Sequence, residues 1–225
     1  MFTRLDSNHK HVSRRSSVYA RNVVAASQPL AAQAGVQILR NGGNAVDAAI
    51  ATAITLTVVE PTMNGIGSDA FVIVSDNHGI HGFNGSGRSP ATWTPERFAG
   101  HDNMPEHGWD TVTVPGAVDT WVQLSDRFGQ LPFEKLFDSA INYAAQGFAV
   151  SPVIAAGWAR AAEEFGYLEG FRTIFMPNGR APTVGEAFQS EAMANTLGEI
   201  ADSRGESFYR GRLASRIVAD AARFD

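Results

Sequence analysis

Two consecutive helical patterns between residues 27 and 61 constrain this chain more than any other stretch of its sequence. Ser27 is placed to cap the first helix, and Gly42 ends it. Asn44 begins the second helix, with Asp47 three residues later in the arrangement of a capping box. Apolar side chains then recur every four residues, at Val46, Ile50, Ile54 and Val58. Because Asp47 and three threonines are the only polar residues of the second helix, the pattern predicts that it is buried.

Strand signals occur at residues 70–84, and most of the remaining chain has helical periodicity. A run rich in β-branched and aromatic residues, a turn at Asp76–Gly79 and a second apolar run from Ile80 to Phe83 predict a hairpin. The other predicted elements are a loop over 85–115 that ends in a short strand at Thr111–Val114, helices near 116–128, 132–146, 151–165, 187–203 and 211–224, and a loop over 166–182. This order predicts a helix-rich α+β fold.

Length, charge and composition exclude several classes of function. At about 150 residues per domain, 225 residues make one large domain or one and a half small ones. Eighteen Lys and Arg against 23 Asp and Glu leave a net charge of −5, which argues against nucleic-acid binding. The absence of cysteine excludes disulfides, thiolate zinc sites and cysteine nucleophiles. No apolar run reaches the roughly 18 residues of a membrane span, so no membrane partner is expected.

The first 21 residues are predicted to be a flexible N-terminal tail, and residues 22–225 to be the folded part. The tail has no apolar run of signal-peptide length. Its Arg14-Arg15 pair resembles a twin-arginine signal, but Arg21 and Asn22 interrupt the apolar stretch that such a signal needs. A cytoplasmic location is therefore expected.

Few residues outside the helices are candidates for a metal or phosphate site. His78 and His81 flank a turn without a third ligand nearby, so no metal site is predicted. Gly65-Ile66-Gly67 precedes a strand, whereas a dinucleotide fingerprint places its glycines before a helix. These glycines indicate either a backbone that passes close to a ligand or a tight connection from helix to strand. No cofactor is predicted.

Ser86 and Arg88, in the loop after the hairpin, are the candidate binding residues. Ser86 does not have the spacing of a nucleophile elbow, and Pro90 prevents an immediate helix after it. No histidine and carboxylate can be assigned from the sequence to activate its hydroxyl. Arg88 lies among glycines and can present its planar fork to a carboxylate. The alternative is a structural arginine that bonds loop carbonyls.

Several long collinear motifs carry a family resemblance over about residues 22 to 224. They are SQPLAAQAG, ILRNGGNAVDAAIA, VVEPTMNGIG with the strand after it, Val-Pro-Gly before a helix, FGQLPFEKLFDSAINYAAQGFAVS and FYRGRLASRI. With these motifs the chain resembles the γ-glutamyltranspeptidase family. The resemblance implies an N-terminal-nucleophile hydrolase fold, a four-layer αββα sandwich made from one precursor that cuts itself. It also implies a threonine nucleophile, freed as a new N-terminus, that attacks γ-glutamyl amides such as glutathione.

The resemblance further implies that the nucleophile lies outside this chain. The family's processing threonine is well downstream of the matched region, and no threonine-led motif of that kind occurs in residues 1–225. Thr52, Thr55 and Thr57 belong to a predicted helix and cannot become a terminus without destroying it. Residues 22–225 are thus expected to be the N-terminal portion of the large subunit, inert alone and partnered by a small subunit that carries the threonine. Unpaired strand edges and exposed apolar faces are expected.

Two departures from the family pattern bear on the substrate. Typical members place an arginine that binds the substrate's α-carboxylate four residues before a proline, where this chain has Ser86 before Pro90. Arg88 is two residues before that proline, so either the loop shifts and Arg88 takes the role, or the substrate has no carboxylate there. Many members also continue Gly65-Ile66-Gly67 with glycines, where Ser68-Asp69-Ala70 stand here.

Four interpretations remain open from the sequence. The first is a γ-glutamyl hydrolase or transferase, and the second is a divergent amidase or acylase of the same fold. The third is a non-catalytic scaffold fragment. The fourth is a nucleotide-binding domain, in which binding would depend on Gly65 and Gly67.

Overall fold

The computed structural model describes residues 17–224, and it has the helix-rich α+β composition that the sequence predicts. The helices are α1 (Pro29–Arg40), α2 (Ala45–Val59), α3 (Ala117–Phe128), α4 (Asp138–Gln146), α5 (Pro152–Phe165), α6 (Glu169–Phe175), α7 (Glu191–Ser203), α8 (Glu206–Arg210) and α9 (Arg212–Ala221). The strands are β1 (Ala70–Asp76), β2 (Gly79–Gly85), β3 (Phe148–Ala149) and β4 (Ala187–Phe188), and short 3₁₀ turns lie at Trp109–Thr111 and Phe133–Phe137.

Helix α2 lies at the centre of the fold, as its composition predicts. It contacts α1, α3 and α4, and α4 in turn contacts α7; α1–α4 and α7 are called the helical core below. The approach of α1 is so close that a Cβ at Gly35 would lie 2.3 Å from the Thr52 hydroxyl. Thr52 and Thr55 are buried, and their hydroxyls are satisfied because each donates to the carbonyl four residues earlier, at 2.7 Å.

The start of α2 is held by a fully buried carboxylate. The predicted capping box is confirmed: the Asn44 side chain accepts from the first turn of α2, and Asp47 accepts from the Asn44 N–H at 3.0 Å. Asp47 also accepts from the backbone N–H groups of Gln130 and Leu131, at 3.1 and 3.2 Å. One side chain therefore joins the start of α2 to the segment that follows α3.

The cap of α1 differs from the prediction. Gln28, not Ser27, accepts from the first N–H groups of the helix. Ser27 donates its hydroxyl to the carboxylate of Glu60, at the end of α2. Gln28 is buried, and its side-chain oxygen takes the place of the usual short cap residue.

The second half of the chain departs from the prediction at its short elements. The loop expected over 166–182 contains α6, the helix expected from residue 187 begins at Glu191, and α8 precedes the last helix. The two-residue strands β3 and β4 were not predicted. Helix α6 depends on tertiary packing. The ring of Phe175 lies against Trp158, and the Trp158 indole N–H donates to the Phe175 carbonyl at 2.9 Å.

The hairpin of β1 and β2 is confirmed, and only one of its faces is covered. Antiparallel pairing places Val72 opposite Phe83, and both pack against the core. The opposite face presents Phe71, Ile73 and Ile80, which are 65%, 80% and 78% exposed. These three residues are called the outer hairpin face below, and they form the exposed apolar face that the resemblance leads us to expect.

The predicted strand at Thr111–Val114 is wrong. Thr111 ends a 3₁₀ turn, and the extended residues after it make a single backbone hydrogen bond to the loop after β2 rather than a ladder. Of the predicted tail, residues 1–16 lie outside the described part of the chain, so the boundary at residue 21 stays a prediction. None of the helices within residues 17–224 has the length and apolar character needed to cross a membrane.

Candidate functional site

Three loops meet at the open end of the hairpin. Because β1 and β2 are antiparallel, with Ala70 opposite Gly85, the loop that enters β1 and the loop that leaves β2 lie side by side. The segment before α3 packs against both. Residues 65–68, 85–88 and 113–117 are called the loop junction below. It contains both residues that the sequence identifies as candidates, Ser86 and Arg88.

Hydrogen bonds hold the backbone of the candidate loop on the segment before α3. The Val114 N–H donates to the Arg88 carbonyl at 2.9 Å, and the Thr113 hydroxyl donates to the Ser86 carbonyl at 3.2 Å. The Ser86 N–H donates to the Asn84 side chain at 3.0 Å. The backbone on both sides of Gly87 is therefore fixed.

Glycines let the two segments approach closely. Gly87 has a φ of +77°, and a Cβ there would lie 1.9 Å from the Val114 carbonyl oxygen. A Cβ at Gly116 would lie 2.0 Å from the Gly85 carbonyl oxygen. A side chain at either position would push the segments apart, so the glycines around Ser86 and Arg88 have a structural reason.

Arg88 presents a side chain without a partner. The residue is exposed, and within residues 17–224 its guanidinium forms no hydrogen bond or ion pair, although its backbone carbonyl is held. The loop-carbonyl bonds that a structural arginine would make are thus absent from the described part of the chain. A guanidinium that is free of other partners can bind a carboxylate through two parallel hydrogen bonds.

Ser86 is half-buried and lacks the partner that a nucleophile needs. Its hydroxyl lies 3.5 Å from the Gly87 carbonyl oxygen, at the outer limit of a hydrogen bond, and it contacts no histidine or carboxylate in the described chain. The loop can therefore bind a polar group but has no base to activate the serine.

The loop junction also rests on a residue that sequence reasoning missed. Tyr209 of α8 accepts a hydrogen bond from the Asp119 N–H at 2.9 Å and donates its hydroxyl to the Pro115 carbonyl at 2.7 Å. Burial raises the pKa of Tyr209 to about 12. The only sequence signal for it is its place in the FYRGRLASRI motif.

The glycines that precede β1 belong to a hydrogen-bonded turn. The Gly65 N–H donates to the Ser68 hydroxyl at 2.9 Å, and the Ser68 carbonyl accepts from the Ala117 N–H at 3.0 Å. A Cβ at Gly67 would meet no described atom within 4 Å, so no neighbour in this part of the chain requires a glycine there.

Of the two histidines near the hairpin turn, His81 bonds protein groups through its ring and His78 through its backbone N–H. His81 Nε2 lies 3.2 Å from the Asp76 carboxylate, and its Nδ1 lies 3.2 Å from the Arg127 guanidinium. The backbone N–H of His78 bonds Asp76 and holds the pKa of that carboxyl below its usual range. No group of three or more potential metal ligands occurs among residues 17–224.

Comparison with known proteins gives consistent matches over nearly the whole chain. The family model for gamma-glutamyltranspeptidase matches residues 31–224. The glutathione hydrolase-like YwrD proenzyme of Bacillus subtilis is 36% identical over 208 residues, which are 91% of this chain and 40% of that protein. The oxamate amidohydrolase proenzyme of Klebsiella pneumoniae is 35% identical over 214 residues, 92% of this chain and 40% of that protein.

Solved structures give the same result for the fold. Cephalosporin acylase from Bacillus halodurans matches with a TM-score of 0.89 and 48% identity, over 94% of this chain and 41% of that chain. Helicobacter pylori gamma-glutamyltranspeptidase matches with a TM-score of 0.85 and 27% identity, over 92% of this chain and 61% of that chain. These neighbours confirm that the chain is part of an N-terminal-nucleophile hydrolase fold. The chain spans about 40% of the length of the first curated relatives.

Proposed function

The chain belongs to the γ-glutamyltranspeptidase family of hydrolases and transferases, and we propose that it supplies the substrate-anchoring part of an enzyme that cleaves an amide through a threonine acyl-enzyme. The threonine is on a C-terminal part of the same precursor, where self-cleavage frees it as a new N-terminus. Its α-amino group takes the hydroxyl proton as the oxygen attacks the amide carbonyl. The C–N bond breaks, and the amine leaves with that proton. Water or an amino acid then accepts the acyl group.

In this proposal Arg88 binds the carboxylate of the acyl donor, and Ser86 makes a polar contact beside it. The observation that carries this assignment is an unpaired guanidinium on a loop whose backbone is fixed at the Ser86 and Arg88 carbonyls. A flexible loop would lose part of its binding energy in ordering, whereas this loop is already ordered. Ser86 stands at the sequence position where typical family members have the carboxylate-binding arginine. Arg88, two residues later, binds the carboxylate in this chain.

The preferred donors are γ-glutamyl amides such as glutathione. The glutathione hydrolase-like relative supports this class, and the oxamate amidohydrolase and cephalosporin acylase support a second candidate, an amide of another acid. γ-Glutamyl groups and oxamate both carry a carboxylate, which a guanidinium fork can bind in two parallel bonds. Arg88 therefore has a role with either donor.

The C-terminal part is the proposed partner, and the hairpin supports this assignment. The outer hairpin face leaves three large apolar side chains open to solvent, from Phe71 near the loop junction to Ile80 near the hairpin turn. Covering them with the strands of the C-terminal part would remove that surface from water and bring the threonine to the side of the hairpin where Arg88 lies.

Substitution of Arg88 in the complete protein tests the assignment. We expect Arg88→Ala to lower kcat/KM for γ-glutamyl amides about 100-fold, mainly through KM, because charge-assisted hydrogen bonds to the substrate are lost. Arg40→Ala is the matched control, because Arg40 is also exposed and has no described partner; its kinetics should equal those of the unsubstituted protein. Unchanged kinetics in Arg88→Ala with both classes of amide would remove the assigned role.

A further inference from the structure

The hydroxyl of Tyr209 joins two parts of the chain that are far apart in sequence. It bonds Pro115 and Asp119, which lie 94 and 90 residues before it, and so bridges the segment before α3 to the first turn of that helix. The proposed chemistry uses no group on α8. The question is what these two hydrogen bonds hold in place.

The bonded carbonyl belongs to the segment on which the Arg88 loop lies. Pro115 follows Thr113 and Val114 in the chain. The Val114 N–H donates to the Arg88 carbonyl at 2.9 Å, and the Thr113 hydroxyl donates to the Ser86 carbonyl at 3.2 Å. Residues 113–116 thus form hydrogen bonds with both the Arg88 loop and Tyr209.

The contact leaves little room for the segment to move independently of the loop. The close approach of Gly87 to Val114, and of Gly116 to Gly85, means that a shift of residues 113–116 displaces the loop as well. Pro115 has no N–H of its own, so its carbonyl is the only backbone polar group with which it can be anchored. Removing the Tyr209 hydroxyl removes that anchor.

We propose that Tyr209 is a positioning residue that holds the Arg88 guanidinium at the substrate through residues 113–116. This inference rests on the proposed function, because it assigns Tyr209 a part in the carboxylate site of Arg88. Tyr209 does not touch the substrate. Its effect is expected in the capture of substrate more than in the chemical step.

Tyr209→Phe in the complete protein tests the proposal because it removes only the hydroxyl. We expect KM for a γ-glutamyl amide to rise about tenfold with kcat within twofold. The urea midpoint should fall only modestly, from the loss of the two hydrogen bonds to Pro115 and Asp119. Tyr143→Phe is the matched control: Tyr143 is also half-buried, on α4, and its hydroxyl has no described hydrogen bond. Its KM should not change. An unchanged KM in Tyr209→Phe overturns the proposal.

A double-mutant cycle with Arg88→Ala separates positioning from a general structural effect. If Tyr209 acts through Arg88, Tyr209→Phe adds less than a twofold effect once Arg88 is alanine. A full further tenfold loss in the double variant overturns the positioning role but leaves the assignment of Arg88 intact. If Arg88→Ala alone has no effect on any amide, the proposed function of the loop fails, and the positioning role fails with it.

Thr113→Val provides a second measurement if Tyr209→Phe does not accumulate as folded protein. It removes the hydrogen bond to the Ser86 carbonyl from the same segment. A rise in KM of several-fold with little change in kcat supports the route through residues 113–116. A normal KM overturns that route, and the proposal with it.

Discussion

The helical core and the loop junction satisfy their polar groups in different ways. In the helical core, Asp47 is fully buried, and every bond that fixes it is made within the chain. In the loop junction, hydrogen bonds fix the backbone at the Ser86 and Arg88 carbonyls, but the Arg88 side chain remains without a described partner. The outer hairpin face, on the strands that lead from the junction, is open to solvent. The polar groups of Asp47 are thus satisfied within the chain, whereas the guanidinium of Arg88 is available to a group from outside the described residues.

The largest expected effect would come from breaking the core at Asp47. Asp47→Ala leaves the part-buried backbone N–H groups of Asn44, Gln130 and Leu131 without their acceptor, so we expect a loss of about 3 kcal/mol in the free energy of unfolding. Urea unfolding followed by circular dichroism measures it. Asp138→Ala is the control, because Asp138 makes an exposed ion pair with Lys135 and should change stability by less than about 0.5 kcal/mol. Equal losses in both variants would contradict a core held by Asp47.

A smaller effect is expected from a side chain added to the loop junction. Gly87→Ala places a Cβ against Val114 at a position with a positive φ, and we expect it to lower the free energy of unfolding by ~2 kcal/mol. Because the added Cβ displaces the loop, we also expect KM to rise. Gly67→Ala, in the same junction, adds its Cβ to open space and should change neither quantity. If both variants behave alike, the close approach of the segments does not order the site.

The outer hairpin face tests whether the open region is covered in the complete protein. Ile73→Thr should change the stability of the present chain by less than about 0.5 kcal/mol, because Ile73 is 80% exposed. In the complete protein we expect a loss of about 1–2 kcal/mol from the apolar surface that the partner covers. Val72→Thr, on the inner face, should destabilise both forms. Thermal unfolding of the two forms side by side gives the comparison.

The smallest expected effect is a loss of folding stability at low pH. It comes from Glu186, a surface carboxylate in the C-terminal half of the chain. Hydrogen bonds from Arg180 and Thr183 lower the pKa of Glu186 to about 2. Since the folded-state pKa lies below the unfolded one, this carboxylate stabilises the fold above about pH 4.5. Its contribution is lost as the pH falls towards 2. Glu186→Gln should flatten the stability profile in that window, and an unchanged profile would contradict the contribution.

The sequence predicted the features that depend on local pattern. The capping box of α2 and the hairpin turn follow from the spacing of a few neighbouring residues. The binding role of Arg88, inferred from its place after a strand among glycines, stays a prediction. Helix α6 and the role of Tyr209 were not found, because each depends on contacts between segments far apart in the chain. The short β3–β4 pair is likewise too brief to give a period-two pattern.

The most direct test of the account compares the present chain with the complete protein, each incubated with a γ-glutamyl amide and with an amide of another acid. Intact mass and N-terminal sequencing accompany the measurement of released amine. We expect the complete protein to divide into two chains, the second beginning with threonine, and to release amine, while residues 1–225 alone release none. Amine released by residues 1–225 alone would contradict the account, since the nucleophile would then lie within this chain.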